Sequence, residues 1–420
     1  MSAASDRSNL AKSASSPVQM DRYQGGKSWL TVGGGIGAVL TLISIALLFV
    51  GDADERKVRG ASYLVGFTYW CGIAMASVIL LQIFHATRAK WMVVLRRPVE
   101  VMGATLPIFV VLFIPLVLVL KNVYSWSDPS AWFPAGTPHL EETLKLLEHK
   151  RPWLNPGFFI GRGIFYIVFI SFVGLRLFGW SKKQDTTGDV QLSQRQRNLG
   201  AGSLPFVGLA MTFAALDWLM SLNPLWFSAV FGVYYFAGSI VSALSILALI
   251  TAHARGKDSL GTLVSVEHTH NIGKLMLAFV CFWTYIAFSQ LLLIWIAGLP
   301  EETPFYLVRF APGWRFMGIF MIVGNFFLPF GAMLSRSLKR DPRKLGIVAV
   351  WILLVHLVDI YWLVMPTFSP NGVAGLATSV LAFAGIGLIT VAFGVTRVRG
   401  QFAVPVKDPY LADSLRYRQP

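Results

Sequence analysis

From residue 29 onward the chain alternates long apolar runs with mostly short polar connections. About 20 apolar residues in a row cross a bilayer as a helix. Runs of that length lie at 29–50, 60–84, 99–120, 156–178, 200–220, 225–252, 271–298, 313–334, 345–365 and 373–394. The pattern predicts an all-α polytopic membrane protein with ten transmembrane helices. The first 28 residues are polar and rich in Ser and Ala. The run after them is too long for a signal-peptide core and lacks a small-residue cleavage site, so it is expected to remain as the first span. Three connections are longer than the rest, at 121–155, 179–199 and 253–270. Within the first, residues Pro138 to Lys150 place Leu140, Leu144 and Leu147 at helical spacing with charges opposite. That predicts an amphipathic helix, which either rests on the membrane surface or receives a partner.

The spans are not independent of one another. Asp217 lies seven residues before Pro224 at the end of span 5, and Asp359 lies seven before Pro366 at the end of span 9. An ionisable group inside a span costs roughly 2.5–3.5 kcal/mol on insertion scales, so its recurrence in one local setting suggests a duplicated device. Two further matches keep the same offset. His85-Ala-Thr-Arg-Ala-Lys90 closes span 2 and His253-Ala-Arg-Gly-Lys257 closes span 6; Pro156-Gly157 opens span 4 and Pro312-Gly313 opens span 8. An offset of four spans preserves direction through the membrane, so the expected architecture is a parallel repeat of two four-helix bundles, spans 2–5 and 6–9. Spans 1 and 10 are expected at the periphery. The expected layout is a tail over 1–28, the first span and its loop over 29–59, bundles over 60–224 and 225–366, the tenth span over 367–394, and a tail over 395–420.

Composition agrees with a membrane protein: 55% of the 420 residues are hydrophobic and 14% charged, against about 25% charged in soluble domains. The net charge of +15 is unevenly placed. Of 36 Lys and Arg, 24 fall in the tails and the alternate loops on their side, and 8 in the loops opposite. The positive-inside rule puts both termini in the cytoplasm. The excess charge is therefore topological, and nucleic acid is not an expected partner. Cys71 and Cys281 stand alone in apolar spans, with no spacing for an iron–sulfur cluster, zinc site or covalent haem. His356 is the only histidine deep in the apolar region, which leaves a bis-histidine haem without its second ligand.

With this topology Asp217 and Asp359 lie near the outer ends of spans 5 and 9, and Arg162 and Arg315 near the outer ends of spans 4 and 8. Each arginine is the candidate partner of one acid. The pairs are either ion-pair locks or proton-accepting groups and polar walls of a quinone pocket. His356 shares a helix face with Asp359 at i, i+3, the arrangement of a proton relay or of an imidazole bonded to a neighbouring helix. At the cytoplasmic edge, Glu100, His85, Arg88 and Lys274, with Glu267-His-Thr-His270, form either the mouth of an inward half-channel or a solvated interface. Tyr234, Tyr235, Thr284, Tyr285, Ser289, Gln290 and Asn325 extend a polar path through the second bundle or serve as interhelical glue. The string Gly33-Gly-Gly-Ile-Gly37 has no strand before it, so it is expected to allow close helix contact rather than to bind a nucleotide. No catalytic or metal-binding residue is expected, and residues for a quinone are not specified.

The stretch 204–228, ending Asp217-Trp-Leu-Met-Ser-Leu-Asn-Pro-Leu-Trp-Phe-Ser228, resembles the ActF-type integral membrane subunits of bacterial alternative complex III. So do His270-Asn-Ile-Gly-Lys-Leu-Met276 and the segment from Phe288 to Thr303. Those subunits belong to the NrfD-like, polysulfide-reductase membrane-subunit superfamily. The resemblance covers nearly the whole chain from about residue 29. It implies two four-helix bundles in ten helices, in the bacterial cytoplasmic membrane. It also implies partners in a quinol:cytochrome c (or high-potential acceptor) oxidoreductase: a paralogous quinol-binding membrane subunit, an iron–sulfur protein, multihaem and monohaem cytochromes c, and in some assemblies a terminal oxidase. Haems c and iron–sulfur clusters are then expected in those partners and none in this chain, with quinone the one ligand left open. Asp217 is carried over by the motif, whereas Arg162, His356 and Asp359 rest on depth and pairing alone. The leading expectation is a cofactor-free subunit giving structural support and proton-conducting half-channels. The rivals are a quinol-binding catalytic subunit and a secondary transporter.

Overall fold

A computed structural model describes residues 22–418, apart from 135, 137, 138 and 256–258. Pro138, Gly256 and Lys257, used above, lie outside the described residues. Among the described residues, ten helices are long and apolar enough to cross a membrane: Trp29–Leu47, Ala53–Ala86, Lys90–Leu118, Pro156–Thr187, Gln191–Leu222, Phe231–Ala254, Val266–Ala297, Arg315–Leu334, Pro342–Thr367 and Leu376–Val398, here spans 1 to 10. The protein is an all-α polytopic membrane protein. Among the described residues the only β contact is an isolated bridge between Arg22 and Phe402, which ties the two tails together on one face. That surface is called the tail face below, and the opposite one the far face.

Local chemistry sets the helix ends. The Asp52 carboxylate accepts from the Glu55 amide at 2.8 Å and opens span 2, with Asp54 and Glu55 in its first turn. The Asn155 side chain caps span 4 ahead of Pro156, and Ser265 forms a capping box with His268 at the start of span 7. Span 8 departs from the expected start. Pro312 and Gly313 form a turn before the helix begins at Arg315, because the chain at Gly313 packs so closely on the backbone of Asn371 that a Cβ would collide with its carbonyl. Span 3 starts nine residues earlier than hydropathy indicated, since Arg96, Arg97 and Glu100 are buried among partners instead of facing water. That span also breaks between Gly103 and Ile108, where tight turns bond Thr105, Leu106 and Phe109 amides to carbonyls three residues back. The break leaves those amides satisfied, unlike the open backbone of a transporter's substrate site.

Spans 2, 3, 4 and 5 pack on one another, spans 6, 7, 8 and 9 do likewise, and span 5 also packs along span 6. Span 2 is the shared centre: it touches spans 6, 9 and 10 as well as its own group, and nearly all of its apolar window is buried. Span 10 is less peripheral than expected. It lies along spans 1 and 2, where the Trp70 indole donates to the Phe383 carbonyl at 2.9 Å. Span 1 is held mainly by span 10. A Cβ on Gly37 would stand 2.9 Å from the Ile389 amide nitrogen, and one on Gly385 2.7 Å from that of Thr41. Small residues at these crossings let the backbones meet. Gly35 of the same string faces open space. Gly385→Leu is therefore expected to release span 1, seen as faster proteolysis between residues 22 and 52 in the detergent-solubilised protein, while Gly35→Leu leaves it protected.

The far face is roofed by the loop after span 3. Tyr124 donates to the Trp218 carbonyl at 3.0 Å, and the Trp126 indole reaches Ser221 at 3.2 Å. Its amphipathic helix runs over Leu140–Lys150. Leu147 and Thr143 form its buried face, whereas Leu144 points outward. The helix is clamped at its end by Lys150, which donates to the Pro224 carbonyl at 2.5 Å. Burial pushes the Lys150 ammonium below its usual value.

Candidate functional site

The two aspartates from which the repeat was inferred are both buried, in very different company. Arg162, nearly two turns into span 4, reaches Asp217 through two parallel bonds, Nε to Oδ2 at 2.8 Å and Nη2 to Oδ1 at 2.9 Å. Tyr166, one turn further along the same face, donates to Oδ2 at 2.8 Å, and the Trp153 indole donates to Oδ1 at 3.2 Å. Both oxygens of the carboxylate are thus doubly satisfied. The guanidinium is as fully held. Its Nη1 donates to the Trp153 carbonyl at 2.9 Å, and its carbon lies 4.1 Å and 4.2 Å from the ring centres of Trp153 and Phe158. A bidentate pair with every lone pair occupied has no acceptor site left for an incoming proton. Asp217 with Arg162 is built as a lock.

Among the described residues no arginine is bonded to Asp359. Arg315, its expected partner, is exposed and enters no ion pair among the described residues. The shift follows from the turn at Pro312-Gly313, which starts span 8 later than span 4's pattern implied. The Tyr234 hydroxyl of span 6 donates to Asp359 Oδ1. His356 Nδ1 lies 3.4 Å from Oδ2 but is not aligned to bond it. Among the described residues, Oδ2 and both His356 ring nitrogens are buried without a hydrogen-bond partner. Leaving such atoms unpaired costs about 1–3 kcal/mol each, and their clustering within one helical turn sets this acid apart from Asp217. Gly238 makes room for the imidazole, since a Cβ there would lie 2.7 Å from its Cε1.

The cation of this region is Arg309, in a short helix Pro304–Arg309 after span 7. It is 1% exposed, lies 3.5 Å over the Phe305 ring and donates to the Phe305 and Leu363 carbonyls at 2.8 Å and 2.6 Å. Burial pulls its guanidinium down to about 9, against the Tyr306 and Tyr234 phenols, which leaves it a cation at neutral pH. Next to it, Gln290 bonds Tyr306 at 3.2 Å and Ser228 at 3.3 Å, leading toward the far face. Of the polar path expected on spans 6 to 8, Tyr234 and Gln290 belong to this group. Tyr235 bonds the Thr68 carbonyl of span 2, Thr284 and Ser289 bond back to their own helix, Tyr285 is exposed, and Asn325 is buried in a π-helical turn of span 8.

At the tail face Glu100 sits between two arginines, accepting from Arg96 at 3.0 Å and Arg97 at 2.8 Å. Arg97 also bonds Asp185 of span 4, and Arg96 bonds Asp408 of the C-terminal tail at 2.7 Å. The tail further contributes its Val406 amide to Asp185 at 3.0 Å. Three carboxylates and two guanidiniums are thus buried together, and Glu100 is a clamp rather than a solvated channel mouth. Asp408→Ala leaves Arg96 short of one partner and is expected to lower stability by about 3 kcal/mol, measured as a reduced unfolding temperature in detergent. His85 lies near Arg96 at the end of span 2. Lys274 is exposed on span 7, close to Lys339 and away from this cluster. Glu267 pairs with Arg340 at 2.7 Å, and His268 caps its helix. Among the described residues no group of three His, Cys, Asp or Glu is placed to hold a metal ion.

Tyr166 could have been found from sequence, since it is four residues beyond Arg162 on the same face. Asp185, Asp408 and Arg309 carried no such signal, because each meets its partners only through the tertiary fold. No protein-family model matches the chain, and a search of curated proteins found no match.

Proposed function

We propose that the chain is a proton-handling and supporting membrane subunit of a respiratory quinol:cytochrome c (or high-potential acceptor) oxidoreductase of the alternative complex III type. In this reading it sits in a bacterial cytoplasmic membrane with both tails inside. The observation that carries the proton role is the buried Asp359–Tyr234–His356 group, in which three polar atoms lack partners while the matching acid, Asp217, is saturated. An acid held by one phenol can take up and release a proton, with His356 on the tail side and the Tyr306–Gln290–Ser228 series on the far side. The place in a quinol-oxidising complex rests on the resemblance of residues 204–228, 270–276 and 288–303. Electron transfer then belongs to haems and clusters of partner subunits, since two isolated cysteines and one deep histidine make no ligand set.

The test is purification through a tag on this chain from a membrane that assembles the complex. Multihaem cytochrome c and iron–sulfur protein are expected to copurify. A chain that emerges alone, or with partners free of haem and iron, would sink the assignment. A quinol-binding role is favoured by one feature, an apolar groove of about 550 Å³ between spans 4 and 5 that is walled by Phe165, Tyr166, Phe169, Phe206 and Phe213. It predicts retention of a quinone analogue by the isolated subunit and its loss in Asp217→Ala.

A further inference from the structure

The end of span 2, the starts of spans 3 and 5 and the C-terminal tail enclose a second cavity, of about 130 Å³, at the tail face. Its charged wall is His85, Arg88, Lys90, Arg96, Arg197 and Asp408. The one carboxylate is already used: Arg96 holds one oxygen at 2.7 Å and the Tyr410 amide holds the other at 2.8 Å. The donors are not used up. Arg96 is 6% exposed, yet its Nη2 is buried without a partner, as is His85 Nε2. Among the described residues neither Arg88 nor Arg197 enters an ion pair, whereas Lys90 pairs with Asp413 at 2.8 Å.

Arg88 adds an independent sign. It stands at φ 51°, in the left-handed position that closes span 2, with the Ala89 amide bonded to the Phe84 carbonyl. Glycine is the usual occupant of such a cap, and a strained non-glycine residue at a cleft points to a functional constraint. A wall of this kind disfavours an arriving proton, which argues against a half-channel mouth here. It suits an anion. Guanidinium forks, with an imidazole nitrogen beside them, match the oxygens of a phosphate group. The volume is well above the roughly 10–15 Å³ that one water needs. The cavity lies where apolar helices meet their polar connections, the level at which basic clusters meet anionic lipid headgroups.

We propose that this cavity is a binding site for a phosphate group, supplied by an anionic phospholipid headgroup or by free phosphate. The site assigns a role to Arg88, Arg197, His85 Nε2 and Arg96 Nη2 that the proton path does not use.

The full-length chain, delipidated in detergent, is titrated with phosphatidylglycerol, with phosphatidylcholine and with inorganic phosphate, and occupancy is read by native mass spectrometry. One equivalent of phosphatidylglycerol is expected to bind with clear preference over phosphatidylcholine, or else phosphate itself binds and competes with lipid. The first outcome identifies the lipid as the source and the second the free anion. In R88Q/R197Q binding is expected to weaken about tenfold or more, with the ligand-free unfolding temperature unchanged because neither side chain is paired. The control R336Q/R343Q removes two exposed arginines from the tail side of the second bundle and is expected to bind like the wild type. Binding of neither ligand, an unaffected R88Q/R197Q, or an equal loss in the control would each overturn the site.

Discussion

Replacing Asp217 with alanine is expected to destabilise the protein by about 3–5 kcal/mol, among the largest effects of any single change in the chain. The loss is mostly the cost of stranding Arg162. Its guanidinium is 8% exposed, stacked between Trp153 and Phe158, and cannot swing to water without dismantling the roof over the first bundle. Arg162→Ala should cost a similar amount, because Asp217 then keeps only Tyr166 and Trp153 as donors. Removing both charges at once, as Arg162→Met with Asp217→Leu, is expected to recover most of the loss, since a buried ion pair roughly breaks even against apolar residues of similar volume. A double-mutant cycle on unfolding in detergent measures this coupling. Additive losses would mean that the two groups do not act as a pair.

Much of the fold was legible because hydropathy and bilayer thickness leave few options. Ten apolar runs became ten helices, with changed ends, and the pairing of Arg162 with Asp217 followed from depth alone. The i, i+3 placement of His356 and Asp359 was equally readable from spacing. What failed was transfer between the two halves. Arg315 occupies the place of Arg162 in the pattern, but the turn at Gly313 delays the start of span 8, and Arg309 supplies the buried cation instead. The tail-face cluster was hidden for a different reason. Charges at 96, 97 and 100 look like a solvated loop until Asp185 and Asp408 are brought to them across 88 and 312 positions of sequence. No local pattern encodes such a contact.

Asp359→Asn is expected to leave the fold intact and to abolish proton movement through the second bundle. The amide oxygen of the replacement side chain still accepts from the Tyr234 hydroxyl, and its amino group takes the place of Oδ2 beside His356 Nδ1. What disappears is the one group in the cluster able to bind and release a proton beside His356. Loss of a positioned proton-transfer group costs on the order of 10²-fold in the step it serves, so proton transfer by this route should fall below detection. Tyr234→Phe should have a smaller effect in the same direction, because it removes the donor that positions the acid but keeps the acid itself. The direct test compares protons moved per quinol oxidised in complexes carrying wild-type chain, Asp359→Asn and the assembled fraction of Asp217→Asn, reconstituted in sealed vesicles. The expected result is that Asp359→Asn lowers the ratio of protons to quinol while quinol oxidation continues, and that Asp217→Asn lowers the yield of complex but keeps the ratio. An unchanged ratio in Asp359→Asn, or an equal fall of proton movement and quinol oxidation, would contradict it.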